Sequence, residues 1–112
     1  MPSDPDKAEQ LFRKVAARYL ADPRVSEGTG FGSRPGLRLG KKVFAMLGAQ
    51  GELVVKLPRD RVDALVASGA GARFDPRRDG RLMKEWATVP IARSGQWGRL
   101  VGEAFEFVGA GS

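Results

Sequence analysis

A chain of 112 residues with 42% hydrophobic and 29% charged residues has the size and usage of one ordinary globular domain, able to bury about two thirds of its unfolded surface, and neither disorder nor a fibrous repeat is indicated. Cysteine and histidine are both absent, which excludes disulfides, thiolate nucleophiles, imidazole-ligated haem and the common zinc and non-haem iron ligand sets, and leaves only carboxylate sites for hard cations. Nineteen Lys and Arg against thirteen Asp and Glu give +6, a field that attracts polyanions at low salt and in any case favours solubility.

The first ten residues, MPSDPDKAEQ, lack the apolar stretch of a signal peptide, and no apolar run approaches the roughly 18 residues that span a bilayer. A cytoplasmic protein without membrane contact is expected. Asp4 reads as an N-cap and Pro5 as a first helical residue, because proline's missing N–H is not needed there. Ala8, Leu11, Phe12, Val15, Ala16, Tyr19 and Leu20 then recur at three-and-four spacing, one apolar stripe of a helix that stops at Asp22-Pro23.

Val25 to Phe31 alternates weakly and carries Gly28 and Gly30, so it reads as a poor strand entering the loop Ser33-Arg34-Pro35-Gly36. Leu37 to Leu39, the pair Gly40-Lys41, and Lys42 to Leu47 form a predicted hairpin, with glycine at the first turn position favouring a type II′ turn. Glu52 to Leu57 adds a third strand to that meander. Pro58 opens a helix to about Ser68, with Val62, Leu65 and Val66 as its buried stripe and Gly69 as its terminating residue. Ala72 to Asp75 and Leu82 to Val89 are predicted strands around the turn 76–80, and the second carries apolar residues on both faces. Ser94 is the expected cap of a last helix with the stripe Trp97, Leu100, Val101, Ala104, Phe105 and Val108. The whole chain, residues 1–112, thus reads as one α+β domain: a two-layer sandwich, its antiparallel sheet covered on one face by the N- and C-terminal helices.

The block GKKVFAMLGAQGELVVKLPRDRVDALVASG resembles the central hairpin and following helix of MmcQ/YjbR domains, and LMKEWATVP resembles the strand of that family built around a lysine, a tryptophan and a threonine-valine pair. The resemblance runs from about Val25 to Val108. The N-terminal domain of TfoX/Sxy proteins is similar over Phe74 to Met83 and at Val89-Pro90, and ranks second. The first resemblance implies a fold like that of CyaY and a DNA-binding role. Such motifs, made of Gly, Phe, Leu and Trp, mark core and turns more than chemistry. Glu85 stands beside Trp86 where relatives often carry histidine, so no role of an imidazole transfers.

Several residues invite functional readings. The run Gly28-Thr29-Gly30-Phe31-Gly32 resembles a phosphate cradle in composition, but it leads to Pro35 and a strand instead of opening a helix, so a loop or bulged edge strand is the simpler reading. Basic residues gather at predicted hairpin tips, Lys41 and Lys42 at one and Arg77, Arg78 and Arg81 at the other. Tips of this kind enter DNA grooves as wings, or are simply solvated turns. Trp97 lies on a core stripe, whereas Trp86, beside Lys84, is a candidate platform for a ligand or a base. Asp60, Asp63 and Glu85 are more readily surface ion-pair partners of nearby arginines than a catalytic carboxylate set. The expectation is a non-enzymatic, cofactor-free module contacting duplex DNA with low sequence specificity. The alternative is a domain that binds a protein or small ligand on the sheet face around Trp86.

Overall fold

The computed structural model describes residues 5–29, 35–48, 50–74 and 83–110. Helix α1 spans Pro5–Leu20, followed by strands β1 Val25–Thr29, β2 Pro35–Leu39, β3 Lys42–Leu47 and β4 Leu53–Lys56. Helix α2 is Arg59–Ala67, β5 is Ala72–Phe74, β6 is Met83–Val89, and a 3-10 turn over Ile91–Gln96 leads into α3, Trp97–Gly109. The six strands form one antiparallel sheet in the order β1-β2-β3-β4-β6-β5. The α+β sandwich expected from the sequence is therefore the fold. The weak strand Val25–Thr29 is a full edge strand, so the meander has four members where three were expected.

All three helices pack on one face. The spacing of Ala8, Phe12 and Ala16 puts them on a single stripe of α1, and all three are buried with Val62 and Leu65 of α2 and Trp97, Leu100, Val101, Ala104 and Val108 of α3. Beneath them the strands contribute alternate residues: Leu37, then Ala45 and Leu47, Leu53 and Val55, and Ala87 and Val89. Simple alternation in β3 would send Phe44 to the opposite side. Instead Leu37 pairs with Ala45 and Arg38 with Val43, so Phe44 is the extra residue of a β-bulge and joins Ala45 facing the helices. Its ring is fully buried, edge-on to Tyr19 of α1 at 6.4 Å and Phe105 of α3 at 5.6 Å.

Two glycines hold turns that other residues would strain. Gly40 has φ +65° in the two-residue connection between Leu39 and Lys42, as primed hairpin turns require. Gly69 has φ +79° beyond α2, where its N–H donates to the Val66 carbonyl and the Ala70 N–H donates to the Leu65 carbonyl, the two bonds of a Schellman ending. Ser94, by contrast, does not cap α3. It lies inside the 3-10 turn that begins after Pro90, and its carbonyl accepts the Trp97 N–H. A side-chain cap satisfies amides left orphaned where extended chain enters a helix, and here the preceding turn has already engaged the backbone.

Candidate functional site

The face of the sheet turned away from the helices has a second, smaller cluster of its own: Met46, Val54 and Phe74 are buried, with part-buried Val43 and Trp86 against them, and no helix residue belongs to it. The Phe74 and Trp86 ring centroids are 6.5 Å apart and tilted by 52°. Strand register carries the rest of the face. Lys56 at the end of β4 pairs with Trp86 of β6, Arg38 of β2 pairs with Val43, and exposed Lys84 lies two residues before Trp86, where the register of β6 with β5 shifts. Arg38 crosses the neighbouring edge strand, since a Cβ added at Gly28 would stand 2.7 Å from its Nε. Glycine there is what lets the guanidinium lie along the sheet.

Several helix-side arginines are paired, while Arg18, Arg59 and Arg93 on the same side enter no ion pair among the described residues. Beside the helices, Arg13 is held by Glu9 at 3.0 Å and Glu27 at 2.8 Å, Arg24 by Asp22 at 2.8 Å, Arg61 by Glu103 at 2.8 Å, and Arg73 by Asp63. Hydrogen bonds from the Arg24 side chain and backbone lower the Asp22 carboxyl to about 2, and the Arg24 guanidinium lies 5.5 Å from the centre of the Phe105 ring. On the open face, alternation brings out Ser26, Gly28, Gly36, Arg38, Val43, Met46, Val54, Lys56, Ala72, Phe74, Trp86 and Thr88, and the register of β6 with β5 shifts before Lys84. Among the described residues Arg38, Lys56 and Lys84 enter no ion pair, and exposed Glu85 stands between Lys84 and Trp86 in β6.

The antiparallel register also fixes which strand ends lie together. The Gly40-Lys41 turn, the end of β4 at Lys56, and the pair Phe74–Met83 that bounds the connection between β5 and β6 are at one end of the sheet. Lys41 and Lys42 are exposed there. Arg77, Arg78 and Arg81 belong to residues 75–82, which lie outside the described residues. Lys84 is exposed and Trp86 part-buried on the open face, while Trp97 is fully buried in the helix-side core with its Nε1–H unpaired among the described residues. Of the carboxylates considered from the sequence, Asp63 is taken by Arg73, and Asp60 and Glu85 are exposed on α2 and β6. Among the described residues no three acidic side chains gather where they could hold a metal ion.

Sequence reasoning missed Lys56 altogether, because nothing local announces that β4 pairs with β6 across an intervening helix and strand. At the opposite end of the sheet, Gln50, Glu52, Gly71, Thr88 and Ile91 line an open cleft of about 430 Å³. Its carboxylate is occupied within its own turn, where Glu52 accepts the Gln50 backbone N–H at 2.8 Å. No helix among the described residues is long and apolar enough to cross a membrane.

These features define a small two-layer α+β domain with one packed sheet face and one cation-bearing, aromatic, open face. A family model described as YjbR matches residues 20–107, and the chain belongs to that family. Neither a search of the curated proteins nor a search of the solved structures finds a match to the chain.

Proposed function

We propose that the domain is a non-enzymatic module that binds nucleic acid through its phosphates, with little sequence selectivity. The observation that carries this reading is the make-up of the open face: among the described residues Arg38 and Lys56 enter no ion pair there and stand around a part-exposed tryptophan, with exposed Lys84 two residues from it in the same strand. Unpaired cations on one surface repel one another and add little to the fold, so their use is outward, toward a polyanion. Exposed Lys41 and Lys42 extend the surface at one end of the sheet, and Arg77, Arg78 and Arg81 belong by sequence to the connection that leaves and re-enters the sheet at that end. Phosphate contacts of this type position a nucleic acid without reading its bases.

Fluorescence anisotropy of a labelled, random-sequence DNA duplex, titrated across a salt series, tests the proposal. The expected result is weak binding that falls by about 0.9 log units per log unit of salt for each phosphate engaged. Replacing Arg77 and Arg78 together by Glu is expected to abolish duplex binding; unchanged affinity in that variant removes this turn from the surface. The apolar cluster of Met46, Val54 and Phe74 beneath Trp86 favours one other reading, a protein or small-ligand site on the same face. Binding would then be nearly indifferent to salt, and Trp86→Ala would be the most damaging change.

A further inference from the structure

We infer that the open face accepts an unpaired nucleic-acid strand, one base stacking on the Trp86 indole while Lys56 and Lys84 hold the phosphates beside it. The inference rests on the nucleic-acid reading and says which form of nucleic acid this face fits. Its basis is the arrangement of polar and apolar groups. The centre of the face is apolar, with Met46, Val54 and Phe74 buried and Val43 and Trp86 part-exposed above them, and the cations stand around it. Lys56 is directly across the strand pair from Trp86, with Cβ atoms about 5 Å apart, and exposed Lys84 is two residues earlier in the same strand, at the shift of its register with β5. Arg38 stands two strands from Lys56, about 10 Å away.

A duplex laid on this surface would press its charged outer backbone against the apolar centre, because its bases are stacked on one another and present only edges. An unpaired strand makes the opposite match, turning base faces to the centre and phosphates to the surrounding Lys and Arg. Stacking on an aromatic side chain within a basic groove is how single strands are held without sequence preference. Among the two tryptophans only Trp86 is available, since Trp97 is fully buried among the helices.

That burial also supplies the readout. A twelve-nucleotide oligothymidylate and a twelve-base-pair duplex are titrated into the intact protein at low salt, following tryptophan emission and, with labelled strands, anisotropy. The single strand is expected to bind about tenfold more tightly than the duplex and to quench the Trp86 part of the emission. Trp86→Leu, which keeps apolar bulk over Val54 while removing the indole face, is expected to weaken the single strand about tenfold and leave the duplex unchanged. Lys56→Gln combined with Lys84→Gln, the first at a half-buried and the second at an exposed position, is expected to lower the single-strand salt slope by about 1.4, two phosphates at about 0.7 each. Equal affinity for the two forms, or full single-strand affinity in Trp86→Leu, overturns the inference and leaves the nucleic-acid reading standing. Absence of binding to both forms at low salt overturns the two together.

Discussion

On its helix side the sheet is sealed by Phe12, Phe44, Trp97 and Leu100, none more than 1% exposed, beneath three helices; on its other side a far smaller apolar cluster of Met46, Val54 and Phe74 has no helix residue in it among the described residues and has Arg38 and Lys56 beside it. The same six strands build both surfaces, so propensity and strand pairing do not account for the difference. The helix side is organised to stabilise the fold. The open side is the one proposed above for binding.

The sharpest way to break this comparison is to remove side chains from each face in turn. Phe44→Ala, on the helix side at the bulge, is expected to destabilise the domain by about 3–5 kcal/mol, because a fully buried ring is deleted from between Tyr19 and Phe105. Val54→Ala, equally buried but in the smaller cluster, is expected to cost about 2 kcal/mol. Urea denaturation of the two variants checks both, and a larger loss from Val54→Ala would reverse the roles given to the two faces.

Charge gives the next contrast. Arg61→Gln removes the paired hydrogen bonds to Glu103 between α2 and α3 and is expected to lower stability by about 1 kcal/mol. Asp22 provides a pH-dependent member of the same series. Its carboxyl is lowered to about 2 in the folded chain, against about 3.9 for an ordinary aspartate, so its stabilising effect is present above pH ~4 and disappears as pH falls through ~2. Denaturation midpoints of the parent and Asp22→Asn, taken from pH 5 to pH 1.5, are therefore expected to differ at the upper end and converge at the lower. Lys56→Gln with Lys84→Gln should change stability by no more than about 0.5 kcal/mol while weakening nucleic-acid binding, since among the described residues neither lysine is in an ion pair.

The parts of this fold that were legible in the sequence are those set by short-range physics. The stripe Ala8-Phe12-Ala16, the stripe from Trp97 to Val108, the turn at Gly40 and the helix end at Gly69 each depend on residues within a few positions, and each is where its pattern put it. The bulge was not legible, because Phe44 departs from alternation only through its pairing with β2. Ser94 was misleading for a related reason: a serine before an apolar stripe looks like a cap, but the 3-10 turn after Pro90 leaves no extended entry to the helix for it to cap.

The candidate site was half legible. Trp86 and Lys84 stood out within one strand, and Lys41 and Lys42 at one turn, but the lysine directly beside Trp86 comes from β4. Thirty residues separate Lys56 from Trp86, so only the completed sheet unites them. That the Gly40-Lys41 turn and the Phe74–Met83 pair stand at one end of the sheet is likewise a consequence of strand order, with β4 pairing to β6.

The most direct test of the assignment uses the two indole N–H signals in the ¹⁵N NMR spectrum of the whole chain, followed during addition of the oligothymidylate. The account predicts that the Trp86 signal moves or broadens with the backbone amides of Arg38, Lys56 and Lys84, while the signal of the buried Trp97 and the amides of α1 and α3 stay in place. Movement confined to the helices, with Trp86 undisturbed, would contradict it.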